Sequence, residues 1–316
     1  MNKFPAFFSR KNKCYYQKQG NELICEGSSV PIINNIPRFV KSGAYASLFG
    51  DQWKQYKKTQ LDSYTGSAIS LSRMDRNLGD LSDLLSGKLV LEAGCGAGRF
   101  TEGLLQKGAT LISSDISSAV EVNQENFPCN DDHLIIQADI NDMPFEDNIF
   151  DVVICIGVIQ HTPSPEETIK SLYSLVKKGG WLIIDHYTFK RADLFRLAPF
   201  FRMYLKKKNP EQTIPYTERL VRRLLPMHKK FSGNKILSVL LNRISPVISY
   251  YRVFPQLNDE LQKQWAMLDT HDSLTDWYKH FRNKKSIRRT LQQLGAESIW
   301  CEYGISVVEA RCQKPL

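Results

Sequence analysis

The chain has 316 residues, 42% hydrophobic and 24% charged, so it buries one or two ordinary cores and is not a disordered chain. Its formal net charge of +9 is unevenly spread: between Lys190 and Arg243, 14 Lys and Arg face 3 Asp and Glu, a balance of +11, and the remainder is slightly acidic. No run approaches the roughly 18 apolar residues of a spanning helix, and the opening MNKFPAFFSRKNK has neither a long apolar region nor a small-residue cleavage site. A cytoplasmic protein is expected, reaching at most the inner membrane surface.

Seven cysteines (Cys14, Cys25, Cys95, Cys129, Cys155, Cys301 and Cys312) are scattered without a CxxC pair. That spacing argues against a disulfide framework and against a metal cluster, so reduced thiols and no metal are expected, several thiols lying in buried strands.

Residues 1–42 form a small strand-like module ending in VPIINNIPRFV, and 43–87 read as a helical lead-in. From 88 to 189, short β-branched runs alternate with amphipathic helical patterns, which is how a parallel sheet with crossover helices is written. The strands are KLVLEAG, TLISSDI, HLIIQAD, FDVVICIGV and GWLIIDHY; helices are expected over Arg99–Lys107, Ser117–Phe127 and Pro165–Lys177, the last stopped by Gly179 and Gly180. The segment 190–270 breaks the rhythm, being basic, rich in Leu, Phe and Tyr and punctuated by prolines, and reads as a helical insertion. Residues 271–316 complete the sheet with a helix near Ser286–Leu294 and the strands ESIWCEY and ISVVEARC.

The first strand runs into VLEAGCGAGRF, where strand, glycines and helix together put backbone N–H groups at a positive helix end. Arg99 stands where a dinucleotide fingerprint needs its third glycine, and the GxxxxGK[ST] pattern is absent, so pyrophosphate and nucleoside triphosphate readings lose ground. Asp115 ends the second strand, where an acid accepts bonds from both ribose hydroxyls. Asp139 ends the third, where a carboxylate meets an exocyclic amine such as that of adenine. In an open parallel sheet these strand ends share one crevice. Taken singly, Asp115 also suits a helix cap and Asp139 a turn.

With VLEAGCGAGRF, SSDIS, IIQADINDMPFEDNIFDVVICIGVIQHTPSP and SLVKKGGWLIIDHY in this order, the sequence resembles the class I S-adenosylmethionine-dependent methyltransferases over about 100 residues. The resemblance implies an α/β, Rossmann-like fold: a seven-stranded, mostly parallel sheet with helices on both faces and its last strand antiparallel, extended at the N-terminus and carrying a helical insertion after the fifth strand. It implies S-adenosyl-L-methionine as cofactor. Gly94, Cys95, Gly96 and Gly98 wrap its methionine part, Glu92 organises the amino end, Asp115 with Ile116 holds the ribose, and Asp139 with Ile140 flanks the adenine beside Ile156. The lead-in then caps the cofactor. FGDQWKQYKKTQLDSYTGSAISLSRM and WAMLDTHDSLTDWY resemble a branch whose N-terminal module is often a zinc ribbon; here ELICEGSSVPIINNIPRFV lacks the second cysteine, so the module is expected to persist as packing.

Since the sulfonium is already electrophilic, the protein's task is to align an acceptor and exclude water, aided by a general base if the acceptor is a hydroxyl. His161, His186 and His271 are the candidates; each has a structural reading beside the catalytic one. Arg73 is a candidate partner for the cofactor carboxylate, and Trp53, Tyr56 and Gln60 share one helical face suited to packing. In the insertion, DLFRLAPFFRMYLKKK sets bulky apolar residues beside Arg196, Arg202 and Lys206 to Lys208, which fits a lid over the acceptor or a helix lying in a membrane interface. The expected function is methyl transfer to a small-molecule or amphiphilic acceptor, such as a sugar, a lipid-linked compound or a natural product, at oxygen. The alternatives are an RNA methyltransferase using the basic insertion and a cofactor-binding regulator without catalysis.

Overall fold

A computed structural model of the chain describes residues 3–40, 53–189, 196–206 and 208–316. The start of the expected lead-in, 43–52, and the insertion residues Lys190 to Phe195 and Lys207 lie outside the described residues. The chain divides into two units: Met1–Lys57, Ala68–Thr188 and His280–Leu316 make one, Lys58–Ser67 and Phe189–Lys279 the other. The second unit therefore extends past the insertion boundary expected at 270 and takes in ten residues, 58–67, expected in the lead-in.

The strands of the first unit are β1 Phe8–Ser9, β2 Cys14–Tyr15, β3 Gln17–Gln19, β4 Glu22–Cys25, β5 Ser28–Ile33, β6 Ile36–Pro37, β7 Leu89–Ala93, β8 Thr110–Asp115, β9 His133–Gln137, β10 Phe150–Cys155, β11 Val176–Tyr187, β12 Glu297–Tyr303 and β13 Val307–Gln313. In chain order the helices are α1 Asp62–Thr65, α2 Ile69–Leu78, α3 Thr101–Gln106, α4 Ala119–Asn126, α5 Pro165–Leu175, α6 Ala198–Leu205, α7 Pro210–Phe231, α8 Lys235–Ile244, α9 Asp259–Thr275 and α10 Lys284–Gln293.

The main sheet has seven strands in the order β12-β13-β11-β10-β7-β8-β9; only β13 is antiparallel to its neighbours, β11 and β12. Its strands read as apolar runs because both faces are covered. Alternation sorts the side chains: Leu91, Ala93, Ile112, Val153, Leu182 and Ile184 pack with Ile169 and Leu172 of α5 and Leu291 of α10. Val90, Leu111, Val152, Ile154 and Ile183 pack with Met74 and Leu78 of α2 and Leu104 of α3. The former is face one below and the latter face two.

The helix expected to run to Lys177 ends at Leu175, and Gly179 and Gly180 lie inside β11 instead of stopping it. A Cβ on Gly180 would sit 2.8 Å from the Asp151 carbonyl oxygen, where the β10–β11 register shifts. Gly180 thus serves a close approach of two backbones within an irregular strand pair, and Gly179 supplies a positive φ of 73° beside it.

The N-terminal module is a two-stranded ribbon, β1-β2, and a meander, β3-β4-β5-β6. Phe39 N donates to Gln137 O at 2.8 Å, and Arg38 reaches Gln137 Oε1 at 3.2 Å and Glu121 Oε1 at 3.0 Å, so the module covers the free edge of β9. Phe7, Phe39 and Phe145 fasten it to the sheet by ring contacts of 5.0 and 5.6 Å between centroids. The expectation of seven reduced thiols is corrected here: Cys14 and Cys25 form a disulfide with a Cα separation of 6.2 Å. Strands β2 and β4 bring them within bonding range although they are eleven residues apart in sequence, which spacing alone did not reveal.

In the second unit, α9 is buried around most of its circumference. Trp265, 1% exposed, packs edge-on against Tyr250 and Phe254, and its indole N–H donates to Thr59 O at 2.7 Å. Gln60 Nε2 donates to Asp269 Oδ1 at 3.3 Å, so these bonds fix 58–67 within this unit. Helix α7 contains Pro215 and Pro226, both on its exposed side, so prolines expected to punctuate the insertion are absorbed within one helix. It buries Thr213, Thr217, Val221, Leu225 and His228, a ladder at helical spacing.

In denatured but unreduced protein, alkylation should reach Cys95, Cys129, Cys155, Cys301 and Cys312 only, and all seven cysteines after reduction. Replacing Cys14 and Cys25 by serine should cost about 3 kcal/mol or less, as befits a short loop, read from denaturant midpoints.

Candidate active site

Consecutive strands progress outward from β7 through β8 to β9 on one side, and from β10 to β11 on the other. The reversal lies between β7 and β10, and in such a sheet the crevice beyond the strand carboxyl ends at that point is where ligands bind. The turn after β7 is built for close approach. Gly94, Gly96 and Gly98 have φ of 83°, 52° and 101°. A Cβ on Gly94 would lie 2.3 Å from Val158 Cγ2, and one on Gly98 would lie 2.6 Å from the Phe127 ring. The Trp53 indole lies over Gly96, 3.4 Å from where its Cβ would be. Trp53 and Gln60, expected on one face, therefore part company: one sits on the turn, the other in the second unit.

The amides of Gly94 and Cys95 donate to Ser114 O at 2.7 and 2.9 Å, clamping the turn onto the end of β8. Asp115 holds the turn from the same side: its Oδ2 accepts the Gly96 amide at 3.0 Å, and its Oδ1 accepts the Ser117 amide and hydroxyl at 2.9 and 2.8 Å. Asp139, half-buried at the end of β9, accepts the Asn141 amide at 2.8 Å, a turn contact. Both acids thus make the local bonds weighed against a ligand role, and both stay partly accessible at the strand ends. Ile116 and Ile140 are half-buried beside them, and Ile156 is buried on face two.

Glu92 lies beneath the turn, 3% exposed. Its Oε2 accepts Thr101 Oγ1 at 2.5 Å and Ser113 Oγ at 3.0 Å; Asn123 Nδ2 donates to Thr101 at 2.9 Å. Its Oε1 is buried without a hydrogen-bond partner. Burial pushes the carboxyl up to about 7, against the pull of Thr101 and Ser113. The Cys95 thiol is pushed well up by burial too, and so is no nucleophile at neutral pH. A turn with no room for a Cβ at Gly94 or Gly98, lying over an acid with an unpartnered oxygen, fits the methionine part of S-adenosylmethionine, whose ammonium supplies a donor.

Arg73 on α2 pairs with Asp185 on β11 and lies 5.7 Å from the Phe100 ring. Asp185 is fully buried and also accepts the Gly157 amide at 2.6 Å. Arg73, expected as a partner for the cofactor carboxylate, is therefore a half-buried link from α2 to β11, and its charge is already met by a protein carboxylate. Asp185 escaped the sequence reading; the signal was an acid interrupting an apolar strand run, LIIDHY. Gln160, fully buried with neither amide atom partnered, was also missed.

The three histidines separate. His161 closes the short 3₁₀ turn Ile159–His161 just beyond β10, half-buried, edge-on to Tyr187 at 5.3 Å. His186 is fully buried on β11; strand alternation sends it to face one, opposite Asp185 and Arg73. Its Nδ1 faces Tyr187 O at 2.9 Å, and burial lowers it to about 4, so it is a neutral packing group and does not line the rim with His161 as expected. His271 belongs to the second unit, within α9, with Nε2 3.1 Å from Thr213 Oγ1, and burial lowers it to about 4 as well.

The raised Glu92 carboxyl sets a pH dependence. Between about 4.5 and 7 the unfolded chain has lost a proton that the fold retains, so Glu92's contribution is full below 4.5 and lost as pH rises towards 7. Denaturant midpoints of Glu92→Gln should gain on the wild type across that interval and keep a constant gap above it. A gap independent of pH between 4.5 and 7 would mean that Glu92 is already ionised in the fold.

Residues 91–184 match the family model described as a methyltransferase domain. Ubiquinone biosynthesis O-methyltransferase of Pseudomonas fluorescens strain Pf-5 is 25% identical over 180 residues, 55% of this chain and 76% of the relative. The enzyme of the same name from Pseudomonas entomophila strain L48 is 26% identical over 175 residues, 54% and 74% of the two chains. Among solved structures, magnesium protoporphyrin IX methyltransferase of Synechocystis PCC 6803 with bound SAH aligns with a TM-score of 0.44 at 16% identity, over 85% of this chain and 96% of that one. With the matched segment running from β7 into β11, through the glycine turn and the strand ends just described, the chain is a class I S-adenosylmethionine-dependent methyltransferase.

Proposed function

We propose that the enzyme transfers the methyl group to a hydroxyl of a small amphiphilic acceptor, with His161 as general base. The observation that carries this is the placement of His161 just beyond β10, at the same sheet end as the glycine turn, partly accessible and braced by Tyr187. The other two candidates have buried rings with hydrogen-bond contacts within their own units. Gly94 to Gly98, Asp115, Asp139 and Glu92 would hold the cofactor, which supplies an electrophilic methyl on sulfonium sulfur. His161 would take the proton of the acceptor hydroxyl as its oxygen bonds to the methyl carbon and the carbon–sulfur bond breaks, releasing S-adenosylhomocysteine. The relatives' name, an O-methyltransferase of ubiquinone biosynthesis, supports oxygen as the methylated atom and an amphiphilic acceptor class.

Arg73 and Asp185 act as positioning residues: the pair ties α2 to the strand end carrying Tyr187 and fixes the Gly157 amide. On this reading nucleic acid is not the substrate.

His161→Ala should lower turnover of a hydroxyl acceptor roughly 100-fold or more while changing cofactor affinity less than threefold. An unaltered rate would make His161 structural. Asp115→Ala should weaken S-adenosylhomocysteine binding by calorimetry by a few kcal/mol at most, on the order of a lost bond pair. Steeply salt-sensitive RNA binding together with methylation of RNA would overturn the small-acceptor reading.

A further inference from the structure

We propose that the insertion unit docks on an anionic lipid bilayer through α6 and α8. Helix α8 is turned inside out. It buries Ser238 and Leu241, and it leaves Ile236, Leu237, Val239, Leu240 and Ile244 exposed at 73, 42, 42, 49 and 61%. At 100° per residue those five aliphatic side chains fall within about 160° of arc, away from the two buried ones. A soluble helix that buries a serine and wets five aliphatics has its apolar face directed outward.

Helix α6 continues the surface. Leu197, Phe200, Met203 and Tyr204, spaced along one side, are exposed at 43, 67, 72 and 57%. The Leu197 amide donates to the Arg243 carbonyl at 2.8 Å, so this row begins where α8 ends, at Ile244. The two rows, joined end to end by this bond, together carry exposed aliphatic, aromatic and methionine side chains, the composition of an interfacial helix pair.

Charge identifies the occupant. Exposed Lys230 lies in the last turn of α7 and exposed Lys235 opens α8, the outer side of α7 carries exposed Arg219, Arg222 and Arg223, and Lys208 sits 4.6 Å from the Tyr204 ring. A second copy of this chain would bring two segments of local charge +11 together. Anionic headgroups neutralise those same cations while the acyl boundary takes up the aliphatics. Among the described residues no helix is long and apolar enough to cross a membrane, so the contact is peripheral. This inference rests on the insertion alone and is independent of the acceptor and of His161.

The full chain should co-sediment with vesicles of phosphatidylcholine containing roughly a third phosphatidylglycerol, and much less with phosphatidylcholine alone, binding falling as salt rises. Ile236→Ser with Leu240→Ser should weaken this about tenfold, with the thermal midpoint and cofactor binding unchanged because both positions are exposed. Lys230→Glu with Lys235→Glu should do the same by reversing two positive charges, leaving the apolar side chains intact. Equal binding to both vesicle types, or binding that neither double variant alters, would overturn the proposal. So would a dimer by light scattering that dissociates in the Ile236→Ser, Leu240→Ser variant when no vesicle binding is seen, since a second copy would then be the occupant.

Discussion

The close approach of backbone to side chain at the end of β7 is the constraint on which the rest of the site depends. Val158 follows β10, and its methyl groups fill the space a Cβ on Gly94 would need; Phe127, at the end of α4, does the same for Gly98. Positive φ at both positions lets the chain reverse at the strand end and enter α3 without intruding on the crevice. Had either been an ordinary residue, the turn would have to retreat from β10 or from α4, and the amides now clamped to Ser114 would lose their register. One short stretch therefore aligns the ends of β7, β8 and β10.

Strand alternation then distributes the chemistry. Glu92, Ser113, Asp115, Ile156 and Asp185 share the parity of face two, with Arg73 of α2 and Thr101 of α3 above them. Every charged or hydroxyl partner in that layer is met within it, apart from one oxygen of Glu92. His186 differs from Asp185 by one position and is thereby sent to the opposite, apolar face, where a charged imidazole would be costly. An ion pair with one partner buried, such as Arg73–Asp185, contributes little net stability. Its consequence is geometric: the carboxylate has one oxygen for the guanidinium and one for the Gly157 amide, so helix, strand and loop are fixed through a single group.

The β-branched runs alternating with helical patterns and the glycine turn made the sheet, its carboxyl-end crevice and the acids at 115 and 139 legible in the sequence, because short apolar runs and strand-end acids are local signals. What failed was non-local. Whether Gly180 stops a helix or admits a neighbouring backbone depends on Asp151, which is far in sequence. The Cys14–Cys25 bond depends on the meander that brings β4 back beside β2. The three histidines looked alike because each follows or ends an apolar run; parity and unit membership separate them, and neither is written in the immediate neighbours. Asp185 was hidden for the opposite reason, an acid inside a run so apolar that the run alone was read.

The insertion shows the same limit in another form. A helical period states that an apolar face exists, not which way it points, and the direction is set by what the rest of the unit has left to bury. In the second unit α9 already occupies the interior, with Trp265 held by Tyr250, Phe254 and Thr59, and α7 supplies a complete ladder from Thr213 to His228. Little interior is left for a third apolar face, so α8 contributes only Leu241 and a small serine inward and turns its remaining aliphatics out. Exposed apolar area of this kind is a cost to an isolated soluble unit. A basic segment carrying it is therefore suited to a low-dielectric, negatively charged surface, where the same residues become favourable and the charge excess stops repelling itself.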